Sequence, residues 1–166
     1  MRYEKLEEFM YQPLVEGDHH DPVPLSHLHA AIGCRVPPDF AEFLERYPDT
    51  GNFEVEGVVF VASDDKLSGR HDGRFAVETL FAACTDQRYD LLNLWRQDKA
   101  DGFAPIGCMR IGDDSFGKAF FLDLRDKSFG KIYFWDHEHG TRRTSRASIW
   151  CARLRCFRAV PSIEID

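Results

Sequence analysis

The order of apolar and polar residues predicts that helices come first along the chain. The segment VPPDFAEFLERYPD, residues 36–49, has apolar residues at the i, i+3, i+4 and i+7 positions of one helical face: Phe40, Phe43, Leu44 and Tyr47. Pro38 is suited to the first turn of this helix, and Pro48 is expected to end it. Just before it, SHLHAAI predicts a short helix that Ser26 caps and Gly33 ends.

The middle of the chain is rich in the β-branched and aromatic residues that favour strands. Residues 52–62, NFEVEGVVFVA, predict one bent strand or a hairpin about Gly57. Residues 74–81, RFAVETLF, predict a further strand, with a helix as the alternative. A series of strands is then expected to start near FAPIG, residues 103–107, and to continue to about residue 137.

Two more helices are predicted from the pattern, one in the middle and one near the end of the chain. Residues 90–97, DLLNLWRQ, predict a short helix, and residues 148–157, SIWCARLRCF, predict a last helix with Trp150, Leu154 and Phe157 aligned. The element order therefore predicts an α+β fold, an antiparallel sheet with helices at N-terminal, middle and C-terminal positions.

The segments KAFFLDLR and KIYFWDHE predict an antiparallel hairpin across the turn DKSFG, in which Gly130 takes a positive φ. Strand alternation gives the hairpin an apolar, core-facing side: Phe120, Leu122, Leu124, Ile132 and Phe134. The opposite side is mixed: Phe121, Asp123, Tyr133, Trp135 and His137. This mixed side is either a surface that a partner recognises, or a second core in which Asp123 is hydrogen-bonded inside.

Composition and charge narrow the class of protein. With 166 residues, 43% of them hydrophobic, the chain is predicted to be a single domain over residues 1–166. The net charge is −7, yet residues 142–158 contain six arginines and no acidic residue, which leaves −13 for the remainder. Such an acidic body repels nucleic acid and attracts basic partners. The sequence shows neither a signal peptide nor an apolar run of about 20 residues, so we expect a cytoplasmic protein without membrane contact.

Chemical motifs are scarce, and no catalytic residue, metal ligand or cofactor is predicted. The five cysteines have no CxxC spacing, which favours buried thiols over zinc or disulfides. Cys108 follows Gly107 without a base assigned to it, and GDDSFG, residues 112–117, is interpreted as a tight turn. His137 and His139 have a spacing that can ligate zinc if a third ligand arrives, so a metal-assisted hydrolase using the turn Asp136–His139 remains an alternative.

Four motifs, in order, resemble the SUKH superfamily of bacterial immunity proteins, which also includes the fungal regulator of cell-wall synthesis. They are VPPDFAEFLERYPDTGNF, FAPIG, GDDSFGKAFFLDL and GKIYFWDHE, and the resemblance spans roughly residues 25–158. The two hairpin strands match most closely, with Ile132 where the family has valine. Pro48 and Asp49 depart from the family's usual asparagine and glycine.

This resemblance implies an α+β fold and a role in binding rather than catalysis. Members neutralise a cognate toxin, often a nuclease, by direct contact, and this chain's acidity suits a basic toxin domain. We predict that it binds through the mixed side of the hairpin and the residues next to it: Asp123, Tyr133, Trp135, Asp136 and Glu138. A regulatory interaction module of the fungal kind is a further alternative.

Overall fold

A computed structural model describes residues 10–13, 23–46, 53–55, 58–61, 74–83, 90–135, 150–152 and 158–159. Its elements confirm the α+β class. The helices are α1 (Leu25–Ile32), α2 (Pro38–Arg46) and α3 (Leu91–Asp101). The strands are β1 (Met10–Pro13), β2 (Phe53–Val55), β3 (Val58–Val61), β4 (Arg74–Ala76), β5 (Thr79–Leu80), β6 (Cys108–Asp113), β7 (Ala119–Asp123), β8 (Ile132–Trp135), β9 (Trp150–Ala152) and β10 (Arg158–Ala159).

The described strands form two sheets, and every strand pairing in them is antiparallel. The larger sheet has seven strands in the order β1-β2-β5-β6-β7-β8-β9, and the smaller sheet has the order β10-β3-β4. The run β6-β7-β8 lies inside the larger sheet, and in it neighbours in sequence are also neighbours in space. This is the strand series that the aromatic pattern predicts.

The predicted helices α1 and α2 are both present, but α1 does not start as predicted. Tyr47 and Pro48, at the predicted end of α2, lie outside the described residues. Pro24, and not Ser26, precedes the first turn, and its carbonyl oxygen accepts hydrogen bonds from the N–H groups of His27 and Leu28. The helix begins at Leu25, so Ser26 lies within its first turn, and Pro24 at the N-cap position has no side-chain acceptor to form a cap. Gly33 ends α1 at φ 79°, as predicted. In α2 the predicted apolar residues that the structure describes are buried: Phe40, Phe43 and Leu44.

The hairpin β7–β8 has the predicted faces in the part that the structure describes, which excludes His137. Phe120 lies opposite Phe134 and Phe121 lies opposite Tyr133, and Gly130 in the connecting turn has φ 78°. The main core contains side chains from all three helices and from the predicted apolar side of the hairpin, including Phe120, Leu122, Leu124 and Phe134, with Ile132 packed against it. The alternation of the sequence thus identifies the core-facing side correctly.

Three local predictions are wrong because pairing between distant segments decides the structure. Residues 52–62 form β2 and β3, which belong to different sheets, instead of one strand or a hairpin. The predicted strand over 74–81 divides at Val77 and Glu78 for the same reason. The predicted C-terminal helix is replaced by strand at Trp150–Ala152, which pairs with β8. The edge of β8 offers backbone hydrogen bonds that override the helical spacing of the sequence.

Candidate protein-binding surface

The mixed side of the hairpin is a second, smaller core. Its buried members are Cys108, Ala119, Phe121 and Tyr133. The segment after α3 covers it: the ring of Phe103 lies 5.8 Å from that of Phe121 and 4.5 Å, edge to face, from that of Trp135. The sequence left two interpretations open for this side, a surface that a partner recognises or a second core. The second core is the correct interpretation for its centre.

Asp123 is hydrogen-bonded inside that second core and is 0% exposed. Its carboxylate accepts bonds from the Nε and Nη2 of Arg125 at 2.9 and 2.6 Å, from the hydroxyl of Ser128 at 2.5 Å and from the hydroxyl of Tyr133 at 3.0 Å. The backbone N–H of Arg125 also donates to it at 2.9 Å. One carboxylate thus fixes the hairpin turn and orients an arginine whose side chain is 50% exposed.

The protonation of this network follows from its hydrogen bonds. Burial raises the pKa of Asp123, but the bonds from Arg125, Ser128 and Tyr133 outweigh burial and hold the pKa well below its usual range. The hydrogen bond between Arg125 and Asp123 also raises the pKa of Arg125. Burial, helped by the charge of Asp123, raises the pKa of the Cys108 thiol to about 11. Because Cys108 stays protonated near neutral pH, it is a poor nucleophile.

The five predicted partner-binding residues have different positions. Asp123 and Tyr133 are buried and hydrogen-bonded to each other. Trp135 is partly buried at the end of β8, next to Phe103. Asp136 and Glu138 lie outside the described residues, as does the Asp136–His139 turn of the hydrolase alternative. The binding role of these five residues stays a prediction.

The loop formed by residues 102–107, here the 102–107 loop, is the most exposed apolar feature of the described residues. Ile106 within it is 91% exposed. Two glycines in the left-handed region bound the loop, Gly102 at φ 66° and Gly107 at φ 76°. A Cβ atom on Gly107 would lie 2.6 Å from the Cγ of Arg125, so the arginine side chain runs directly over the loop.

On one side of the 102–107 loop lies an apolar groove of about 440 Å³. It is lined by Ile32, Trp95, Ala104, Ile106, Leu124 and Arg125, among others. Lys99 and Arg125 contribute two positive charges to the lining of the groove, which is otherwise mainly apolar. A concave apolar surface beside a protruding isoleucine is the kind of surface through which proteins contact one another.

A β-bulge creates an ion pair on the other side of the loop. The β6–β7 register shifts between Arg110 and Gly112, so Ile111 is an extra residue. Without it, Arg110 and Asp113 would point to opposite faces of the strand. With it, the Nε and Nη2 of Arg110 donate to the two carboxylate oxygens of Asp113 at 2.7 and 2.5 Å. A Cβ on Gly112 would lie 2.4 Å from the carbonyl oxygen of Thr79, so glycine is needed for this close approach.

Next to this ion pair is an acidic cavity of about 500 Å³ at the C-terminal end of α3, here the α3 cavity. Its walls include Asp98, Asp101, Phe103, Arg110 and Trp135. The Asp98 side chain is 6% exposed, its Oδ1 lies 3.9 Å from Nη1 of Arg110, and its Oδ2 has no hydrogen-bond partner among the described residues. Burial raises the pKa of Asp98 to about 6, although Arg110 lowers it. Trp135, predicted from sequence to bind a partner, lines this cavity.

The turn between β6 and β7 has the structural role predicted for it. Oδ1 of Asp114 accepts hydrogen bonds from the N–H groups of Phe116 and Lys118 at 2.9 and 2.7 Å, and Gly117 has φ 76°. Phe116 in this turn is 75% exposed, at the opposite end of β6 from Ile106. In the described residues, His, Cys, Asp and Glu side chains form no group of three or more that could hold a metal ion.

Sequence reasoning missed Asp98, Arg110 and Ile106. A signal for Asp98 was present, because it stands at i+7 from Leu91, on the face of α3 that buries Leu91 and Leu94. No signal for Arg110 was available, since its pairing depends on the bulge. For Ile106 the sequence prediction is wrong: FAPIG, residues 103–107, is expected to start the strand series, but residues 102–107 form a loop between two positive-φ glycines and β6 begins at Cys108.

Comparison with known families decides the family. The model of the SMI1 / KNR4 family (SUKH-1) matches residues 22–149, more than three quarters of the chain. The chain belongs to this SUKH family. The match contains α1, α2, α3 and the β6–β7–β8 run, so the 102–107 loop and the α3 cavity are parts of the SUKH domain. Searches of curated proteins and of solved structures gave no significant match. Among the helices in the described residues, none has the length and hydropathy needed to cross a bilayer.

Proposed function

We propose that this SUKH protein is an immunity-type binding protein that neutralises a cognate bacterial toxin by direct contact. The observation that carries the proposal is the 102–107 loop, where a 91% exposed isoleucine stands beside an apolar groove. A single exposed apolar side chain is common, but an exposed isoleucine that borders an apolar groove forms a continuous apolar surface of the kind that partner proteins cover. Membership of the SUKH family supports the same conclusion, because the resemblance implies toxin binding.

The contact surface proposed here has the 102–107 loop at its centre. Gly102 lines both the apolar groove and the α3 cavity, so the two depressions lie on either side of one loop. An apolar centre flanked by charged groups matches the anatomy of protein interfaces. Trp135, which lines the α3 cavity, extends this surface along β8, and Asp136 and Glu138 follow it in the sequence. Asp123 and Tyr133 support the surface from below through Arg125 and the second core.

The charge of the chain supports a basic partner. The net charge of −7 attracts a positively charged toxin domain at long range and speeds its encounter with the protein. At short range, the α3 cavity presents Asp98 and Asp101 to the same partner. Apolar contacts around Ile106 would then slow dissociation.

The direct test is co-expression with the toxin domain encoded beside this protein's gene. We expect the protein to restore growth of cells that express the toxin and to form a stable complex with it in size-exclusion chromatography. Protection without a stable complex would contradict neutralisation by direct contact. Failure both to protect and to bind would contradict the proposed function itself.

A further inference from the structure

The α3 cavity has the chemistry of a site for a basic side chain. We propose that it binds the guanidinium group of an arginine supplied by the partner protein, an inference that rests on the proposed function. The cavity joins two carboxylates, Asp98 and Asp101, with the rings of Phe103 and Trp135. The two rings also cover the second core of the hairpin, whereas the two carboxylates take no part in that core.

The strongest sign of a missing ligand is Asp98. Its side chain is 6% exposed and its Oδ2 accepts no hydrogen bond from the described residues. A buried carboxylate oxygen without a donor is costly, because it has lost water without gaining another partner. Because Oδ2 is itself closed to water, an N–H group in the cavity reaches it when the Asp98 carboxylate rotates about its Cβ–Cγ bond toward the cavity that Asp98 lines.

The neighbouring cation does not fill this role. Arg110 donates through Nε and Nη2 to Asp113, and its Nη1 is 3.9 Å from Oδ1 of Asp98, beyond hydrogen-bond distance. The charge of Arg110 is therefore largely balanced by Asp113. The negative charges of Asp98 and Asp101 remain at the α3 cavity and attract a second cation.

The aromatic walls favour guanidinium over other cations. A guanidinium is planar and weakly hydrated, stacks on aromatic rings and donates from its edge to carboxylates. The protein already shows this behaviour at the same place, since the Cζ of Arg110 lies 5.3 Å from the ring centre of Phe103 and 5.6 Å from that of Phe81. A divalent metal ion would instead meet few oxygen ligands and a nearby guanidinium.

Isotope-labelled full-length protein can test the inference by NMR, with Nα-acetyl-arginine methylamide as the probe. The chain has three tryptophans, and the Trp135→Phe variant assigns the indole N–H signal of Trp135. The isosteric but uncharged citrulline analogue serves as the ligand control. Asp98→Asn is the test variant, and Asp126→Asn is the matched variant, since Asp126 is an exposed carboxylate outside the cavity.

We expect the arginine probe, and not the citrulline analogue, to shift the Trp135 signal saturably. Asp98→Asn should weaken this binding about tenfold, because a charge-assisted hydrogen bond is lost, while Asp126→Asn leaves it unchanged. An equal response to citrulline, an equal response in Asp98→Asn, or no saturable shift would each overturn the inference.

The toxin complex separates this inference from the proposed function. A toxin that binds wild-type protein at least tenfold more tightly than Asp98→Asn supports the cavity as an arginine site. A toxin that binds both equally overturns the inference and leaves the proposed function standing. If the arginine probe binds normally but the toxin does not bind the wild type, the proposed function fails while guanidinium recognition by the cavity is supported.

Discussion

Asp123 and Arg125, two residues apart, are joined by three hydrogen bonds: the backbone N–H, Nε and Nη2 of Arg125 all donate to the one carboxylate, at 2.9, 2.9 and 2.6 Å. The carboxylate is buried and the arginine side chain is half exposed beside the 102–107 loop. Asp123, which the sequence analysis predicts to bind a partner protein, is thus hydrogen-bonded within its own chain. It can affect the binding of a partner protein only through Arg125, whose side chain it orients.

Replacing Asp123 by Asn should destabilise the protein by about 3 kcal/mol, because a buried charge is removed from donors that remain in place. Urea denaturation at neutral pH measures this loss. Asp126→Asn, an exposed carboxylate in the same turn, is the control and should stay within about 0.5 kcal/mol of wild type. If both variants unfold like wild type, the network does not contribute to stability.

The lowered pKa of Asp123 also predicts acid sensitivity. Its contribution to stability is complete above its unfolded pKa of about 4 and is lost as the pH falls below that value toward the lower folded pKa. Wild-type stability should therefore fall steeply below about pH 4, and the fall should be smaller in Asp123→Asn. Parallel acid curves for the two proteins would contradict this assignment.

Asp98 predicts the opposite dependence on pH. Its folded pKa of about 6 lies above the unfolded value, so its share of stability is present at low pH and is lost as the pH rises to about 6. Asp98→Asn should be about 1 to 3 kcal/mol more stable than wild type at pH 8 and nearly equal to it at pH 4, since one pKa unit corresponds to about 1.4 kcal/mol. Denaturation curves at both pH values measure this. A variant less stable at pH 8 would show that Asp98 stabilises the fold.

The core side of the hairpin can be tested at Phe134. Phe134→Ala should cost about 3 to 5 kcal/mol, because the ring is 5% exposed and lies 5.2 Å from that of Phe120. Phe129→Ala, in the turn of the same hairpin, should cost far less because Phe129 is 43% exposed. An unchanged melting temperature in Phe134→Ala would remove this side from the core.

The proposed role of the 102–107 loop in binding can be tested by a substitution at Ile106 that does not disturb the fold. Ile106→Asp should leave stability within about 0.5 kcal/mol of wild type, because the side chain is 91% exposed. Its toxin binding should weaken by about 2 kcal/mol, roughly thirtyfold in Kd. Phe116→Asp, an exposed aromatic at the other end of β6, is the matched control and should bind as wild type does. Equal loss in both variants would indicate a broad surface instead of the 102–107 loop.

The hairpin could be predicted from sequence because its information is local. Alternation with a period of two assigns the faces of β7 and β8, and Gly130 has the positive φ expected of a glycine in the connecting turn. The same rule fails on β6, where the extra residue Ile111 moves Asp113 to the side of Arg110. A bulge leaves no clear mark in the pattern of apolar residues, so the α3 cavity beside it could not be predicted from the sequence.

The end of the chain could not be predicted because its structure depends on a distant partner. Trp150 has the spacing of a helical face with Leu154, but residues 150–152 complete the edge of β8. The mixed side of the hairpin posed a related problem. Its charged and aromatic residues are equally typical of an interface and of a small core, and only the position of Phe103 over Phe121 decides between the two.

At the exposed tip of the 102–107 loop, the side chain that is proposed to contact the partner contributes little to the stability of the fold. Gly102 and Gly107 set the path of the loop, and Arg125, tied to Asp123, lies over its end, while Ile106 has almost no contact with the rest of the protein. Under the proposed function, position 106 is therefore free to change under selection for a new toxin at little cost in stability. The same freedom makes it the first position to randomise in a library that aims to redirect this protein to another target.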